Sequence, residues 1–147
     1  MAHYRTVIVA EADPGHTFAY LSRFDSAAEW DPGVASATML TTEPVRLGSR
    51  FRLQARFGKR AIPLDYEIVE FDPDRRVVLR AENAFIRSTD TITFNAEGSG
   101  TRVTYDALLE PKRARWLVTP ILDRSFGRIG DRAAAGLTRV LTTAKSA

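Results

Sequence analysis

The sequence predicts an α+β fold: a curved, seven-stranded antiparallel sheet covered by one long C-terminal α-helix, with two short helices between the first and second strands. Three observations carry this. Residues 34–109 are a succession of short apolar/polar alternations separated by turn sequences, the pattern of consecutive antiparallel strands. Leu122, Phe126, Ile129, Ala133, Leu137 and Val140 follow steps of three and four, which line up on one face of a helix. No other long amphipathic segment is present to cover the apolar face that such a sheet must bury.

In chain order, Tyr4 to Ala10 is rich in β-branched residues (Thr6, Val7, Ile8, Val9) and reads as a strand. Asp13-Pro14 supplies an N-cap and a first-turn proline, and Phe18, Leu21 and Phe24 recur every three residues, so a helix runs from Pro14 to about Ser22. His16, three residues after Asp13, is expected at the surface. A second short helix, from Asp25 or Ser26 to Trp30, ends at the turn Asp31-Pro32-Gly33. Ser36 to Thr42 is the next strand, closed by Glu43-Pro44. In the strand from Arg50 to Phe57, Phe51, Leu53, Ala55 and Phe57 alternate with Arg50, Arg52, Gln54 and Arg56. Gly58-Lys59 turns the chain into Ile62, Leu64, Tyr66 and Ile68, which lead to a hairpin turn at Asp72-Pro73-Asp74. Arg76 to Ala81, Ile86 to Asn95 and Thr101 to Leu109 complete the sheet, separated by turns at residues 82–84 and 97–100. The covering helix is predicted over Pro120 to Ala144 with Thr119 as N-cap, a rod of roughly 37 Å that could cross six or seven strands.

Within Ile86 to Phe94, Ser88 and Asp90 share a face with Ile92 and Phe94. Strict alternation therefore turns a carboxylate inward, where it is costly without a partner and becomes a candidate contact for a ligand. The commoner arrangement, and the favoured expectation, is that Asp90 lies in water at a strand end or pairs with an arginine.

With 147 residues, 44% of them hydrophobic, the chain fits a single domain over residues 1–147 that can bury a sizeable core. The sequence has no run of about 18 apolar residues and no signal-peptide pattern at its start, so a cytoplasmic protein is expected. Without cysteine there are no disulfides or thiolate nucleophiles, and His3 and His16 alone do not make an imidazole-based catalytic or metal centre. HExxH, GxSxG, P-loop and paired-carboxylate motifs are absent, so no catalytic residue, metal or cofactor is assigned. The net charge is +3, and 18 of the 21 basic residues are Arg, interspersed with 18 acidic ones. The densest basic patch, Lys112-Arg113-Ala114-Arg115, continues into Arg124, Arg128, Arg132 and Arg139 on the polar helix face, which is read as a solvated surface rather than a nucleic-acid or membrane contact.

Three stretches carry a family resemblance. They are Glu11 to Leu21 leading into Glu29-Trp30-Asp31-Pro32-Gly33-Val34, Tyr66 to Pro73 followed by Arg75-Arg76-Val77, and Gly100 to Tyr105 followed by the terminal helix. Together, over nearly the whole chain, they resemble the SRPBCC or START-like superfamily with its helix-grip fold, and within it the small bacterial proteins grouped as polyketide cyclase/dehydrase-like. The resemblance implies a cavity between sheet and long helix, its mouth formed by the short helices and strand-connecting loops. Mapping the alternation onto that picture gives candidate ligand-binding residues Phe51, Leu53, Phe57, Tyr66, Asp90, Phe94 and Tyr105 from the sheet. Phe126, Ile129, Gly130 and Ala133 come from the helix, and Trp30 and Trp116 lie near the ends. The same residues also describe a filled core.

An aromatic set with two phenol hydroxyls suits a small hydrophobic ligand such as a lipid or polyketide, bound by a monomer or homodimer. The alternative is a cyclase or dehydratase using Tyr66 or Tyr105 as donor, Asp90 as acceptor and Arg87 to stabilise an enolate-like oxygen. A third reading is an interaction module or toxin-like protein acting through the basic helix face. The small residues Gly127, Gly130, Ala133, Ala134, Ala135 and Gly136 pose a further question: they either admit close backbone approach or leave space beneath the helix.

Overall fold

The computed structural model describes residues 2–57, 59–112 and 115–143; the side chains of residues 57, 115–125 and 143 lie outside that description. The elements are β1 (Ala2–Ala10), α1 (Pro14–Ser22), a 3-10 turn (Phe24–Ser26), α2 (Ala27–Trp30), β2 (Val34–Met39), β3 (Arg50–Phe57), β4 (Arg60–Asp72), β5 (Arg76–Glu82), β6 (Ile86–Glu97), β7 (Gly100–Pro111) and α3 (Arg115–Thr143). The seven strands form one antiparallel sheet in the order β1-β7-β6-β5-β4-β3-β2. Because β1 and β2 are the two edges, the segment between them has to bridge the open side of the curl. That requirement places α2 beside α3.

Local chemistry explains the elements. Asp13 caps α1, accepting from the His16 backbone N–H at 2.8 Å with Pro14 in the first turn, and the exposed His16 ring sits 2.8 Å from the same carboxylate. Arg75 N–H bonds to the Asp72 carbonyl at 3.1 Å, closing the β4–β5 hairpin around Pro73. Alternation holds along β6, where Ser88, Asp90, Ile92 and Phe94 are all buried. Along β4 it is interrupted by a bulge between Ile68 and Glu70, which returns Phe71 to the inner face. On the outer face arginines pair across strands, as Arg52 does with Asp65 at 2.7 Å and Arg87 with Glu82 at 3.0 Å. Arg87 therefore points away from the interior, and its expected role on an enolate is withdrawn.

Three further expectations are corrected. The helix predicted from residue 25 or 26 begins with a 3-10 turn, and the strand predicted over residues 36–42 is Val34–Met39. The long helix starts at Arg115, so Pro120 lies within it rather than at its first turn. One missing N–H near a helix start removes a single hydrogen bond, which the longer helix tolerates. Among the described residues the helix packs chiefly along β1 and against α2. A sheet that curls brings the remaining strands round to face it from the other side.

The small residues of α3 turn out to serve both purposes. A Cβ on Gly130 would lie 2.4 Å from the Tyr4 ring, and one on Gly136 would lie 1.8 Å from the Trp30 carbonyl oxygen. These two glycines are where the helix touches β1 and α2. At Gly127 an added Cβ meets nothing within 4 Å. Gly127→Ala is therefore expected to raise stability by up to about 1 kcal/mol through helix propensity alone, checked by urea denaturation.

Candidate functional site

Between the inner face of the sheet and α3 lies a cavity of about 240 Å³. Its walls are mostly apolar. Leu53 and Tyr66 come from β3 and β4, Tyr105 from β7, Trp30 from α2, and Phe126, Ala133 and Leu137 from α3. Rings fix two of the corners: Trp30 meets Tyr105 edge-on at 5.8 Å between centroids, and Phe24 meets Tyr66 at 5.0 Å. Ile129, beside Gly33, is 45% exposed although it lines the cavity.

One wall is polar. Asp90, on β6, is 7% exposed and has no basic partner among the described residues; it accepts a close hydrogen bond from the Tyr105 hydroxyl. Ser88, two residues earlier on the same face, donates to Asp90 across 3.5 Å and lies 2.9 Å from the Tyr66 hydroxyl. The four groups form a chain along β4, β6 and β7 that the β6–β7 register (Asp90 opposite Ala107, Ile92 opposite Tyr105) holds in place. Burial pushes the Asp90 carboxyl from its ordinary value up to about 7; the Tyr105 hydrogen bond works against this, and the nearby Asp31 charge adds to it. Burial and the adjacent Asp90 charge hold the Tyr66 and Tyr105 hydroxyls far above their usual range. Asp31 lines the cavity from the α2–β2 turn, accepts from the Gly33 N–H at 2.8 Å, and is also raised by burial.

Of the residues singled out from the sequence, Trp30, Leu53, Tyr66, Asp90, Tyr105, Phe126, Ile129, Gly130 and Ala133 line this cavity. Phe51 and Phe94 do not. Both are buried in the core, Phe94 against the Phe18 ring of α1 at 5.2 Å. The side chains of Phe57 and Trp116 lie outside the described residues. The favoured expectation for Asp90 is overturned: it is neither in water nor paired with arginine, since every cross-strand arginine of this region sits on the opposite face and tyrosine and serine hydroxyls take its place. Sequence reasoning missed Ser88, Asp31, Tyr4 and Thr6 as lining residues. The alternation that singled out Asp90 already placed Ser88 beside it. Asp31 carried only a turn signal.

Among the described residues no group of three or more His, Asp and Glu side chains is arranged to hold a metal, and no helix is long and apolar enough to cross a membrane.

A curled antiparallel sheet gripping a long C-terminal helix over a lined cavity is the helix-grip architecture of START-like proteins. The chain belongs to the family described as polyketide cyclase/dehydrase and lipid transport, whose model matches residues 1–142. Among solved structures it is similar to TTHA0849 from Thermus thermophilus (19% identity, 99% of each chain, TM-score 0.79). It is also similar to a START superfamily protein from Mycobacterium smegmatis (12% identity, 96% of this chain and 97% of that one, TM-score 0.77). A third similar structure is the di-domain ARO/CYC StfQ from the steffimycin biosynthetic pathway (16% identity, 97% of this chain and 50% of that one, TM-score 0.72). At these identities the likeness is one of fold. No curated protein matches the chain.

Proposed function

We propose that this protein binds a small, mainly apolar molecule in the cavity between α3 and the sheet. The observation that carries the reading is the cavity itself, about 240 Å³ enclosed by aromatic and aliphatic side chains with a few convergent polar groups on one wall. Ligand sites are built this way, and the volume lies between that of an apolar hole of roughly 150 Å³ that admits benzene and the roughly 300 Å³ at which drug-sized pockets begin. The family's description, which names lipid transport, agrees with it.

Ala133→Phe tests the proposal. Ala133 lines the cavity from a half-buried position on α3, so a phenyl ring there occupies the space a ligand needs. Binding of phenethyl alcohol, followed by calorimetric titration, is expected to fall at least about tenfold while the unfolding midpoint holds or rises, because filling a cavity adds packing contacts. Undiminished binding by the variant would place the ligand elsewhere and remove the reading.

A second reading is favoured by one specific group. A buried carboxyl pushed up to about 7 and hydrogen-bonded to a phenol is poised to move a proton near neutral pH, which suits cyclisation or dehydration of a substrate held in the cavity. On that reading Asp90→Asn loses turnover on a true substrate while retaining binding, and an unchanged rate sinks it.

A further inference from the structure

The hydroxyls of the polar wall converge on Asp90. Tyr105 donates to Asp90, Ser88 donates to Asp90, and the Tyr66 hydroxyl shares its contact with Ser88. With the Ser88 proton directed at Asp90, the Tyr66–Ser88 contact is made by the Tyr66 proton. Three donors are then consumed within the chain, and what remains towards the cavity is acceptor capacity. A carboxylate has about four lone-pair sites, and Asp90 accepts from one phenol and, at the 3.5 Å limit, one serine. Asp31 adds a second carboxylate to the same lining. Tyr4 and Thr6 of β1 also line this space, the Tyr4 hydroxyl donating to Asp131 at 2.7 Å, and Arg56, the single cation among the described lining residues, is exposed with its Nε–H donating to the Pro32 carbonyl at 3.1 Å. A ligand end that can only accept, such as a carboxylate, finds beyond Thr6 and the exposed Arg56 no donor among the described polar lining groups that the chain has not already used. One that donates finds up to two carboxylates.

Resting on the binding function proposed above, we infer that the cavity selects a compact apolar molecule whose polar end donates hydrogen bonds, a protonated amine above all, and that it rejects carboxylates. Scaled from the roughly 150 Å³ hole that holds benzene, the cavity has room for a body of about ten heavy atoms. Charge-assisted hydrogen bonds in a site shielded from water provide the discrimination, and an anion brought against Asp90 and Asp31 meets like charge.

The groups facing Asp90 are Tyr66 from β4, Ser88 from β6, Tyr105 and the charge of Asp106 from β7, and Asp31 from the α2–β2 turn. With Asp90 held near 7 by burial, amine binding strengthens from pH 6 to pH 8 as the carboxyl ionises, while binding of a neutral alcohol does not.

Phenethylamine, phenethyl alcohol and phenylacetate share one body and differ at the polar end. Calorimetric titration of the full chain at pH 8 is expected to show the amine binding at least about tenfold more tightly than phenylacetate, with the alcohol between them. Asp90→Asn is expected to bring the amine to the level of the alcohol, and Asp31→Asn to remove part of the preference. Phenylacetate bound as tightly as the amine overturns the inference and leaves the cavity reading intact. If all three probes are excluded, the cavity reading falls with it.

Discussion

Asp90→Asn is expected to make the folded protein more stable at pH 8 than the parent chain, by as much as roughly 4 kcal/mol, the equivalent of a carboxyl moved from 3.8 to about 7. Between those two values the folded chain keeps a proton that the unfolded chain has released, so folding takes up a proton and stability falls as the pH rises. The loss is complete above about 7, where the folded state carries a buried charge against a phenol and a serine. Asparagine keeps an acceptor for Tyr105 and cannot ionise. The lowered carboxyls elsewhere act in a separate window: Glu82, held at about 2 by Arg87 and Lys112, contributes stability that is lost only as the pH falls below the ordinary carboxylate range. Urea denaturation of both chains at pH 5 and pH 8 decides the matter. A parent curve that weakens towards pH 8 more steeply than the variant curve, which keeps the raised Asp31, is the expected result, and parallel profiles would contradict the burial of an ionisable Asp90.

Gly136→Ala is expected to destabilise the protein by about 2–3 kcal/mol or more, against the gain of about 1 kcal/mol that alanine ordinarily brings to a helix interior. The new methyl would stand 1.8 Å from the Trp30 carbonyl oxygen and 2.9 Å from its carbon, so it meets backbone rather than a side chain able to swing away. α2 and α3 must part, and with α2 goes the Trp30 ring that closes one corner of the cavity against Tyr105. Thermal unfolding measured alongside Gly127→Ala, where nothing lies within 4 Å, separates the contact from propensity. If the two alanines shift the midpoint alike, α2 and α3 do not touch at Gly136.

The strands were legible in the sequence because period-two alternation reports directly which face is buried, and β6 follows it from Arg87 to Phe94 and β3 from Arg50 to Leu53. The long helix was legible from the spacing of Phe126, Ile129, Ala133 and Leu137, but its start was not. Thr119-Pro120 carries a helix-start signal that five preceding residues override. Alternation could place Asp90 inward; it could not say whether anything there would satisfy it. That answer depends on β6–β7 pairing, which brings Tyr105 across from Ile92 and so next to Asp90. Likewise, Phe94 has the same inward pattern as Tyr105, and the position of α1 along the curl, with Phe18 against Phe94, decides which becomes core and which lines a cavity.

The central claim is that α3 roofs a cavity open to small apolar molecules. It is tested most directly by methyl-resolved NMR of the labelled protein titrated with phenethyl alcohol. The expected result is saturable shifts at the lining residues Leu53, Leu64, Leu137 and Val34, with Val7, Val9 and Leu47 on the exterior unmoved. Shifts confined to those exterior methyls, or none at any concentration, would contradict it.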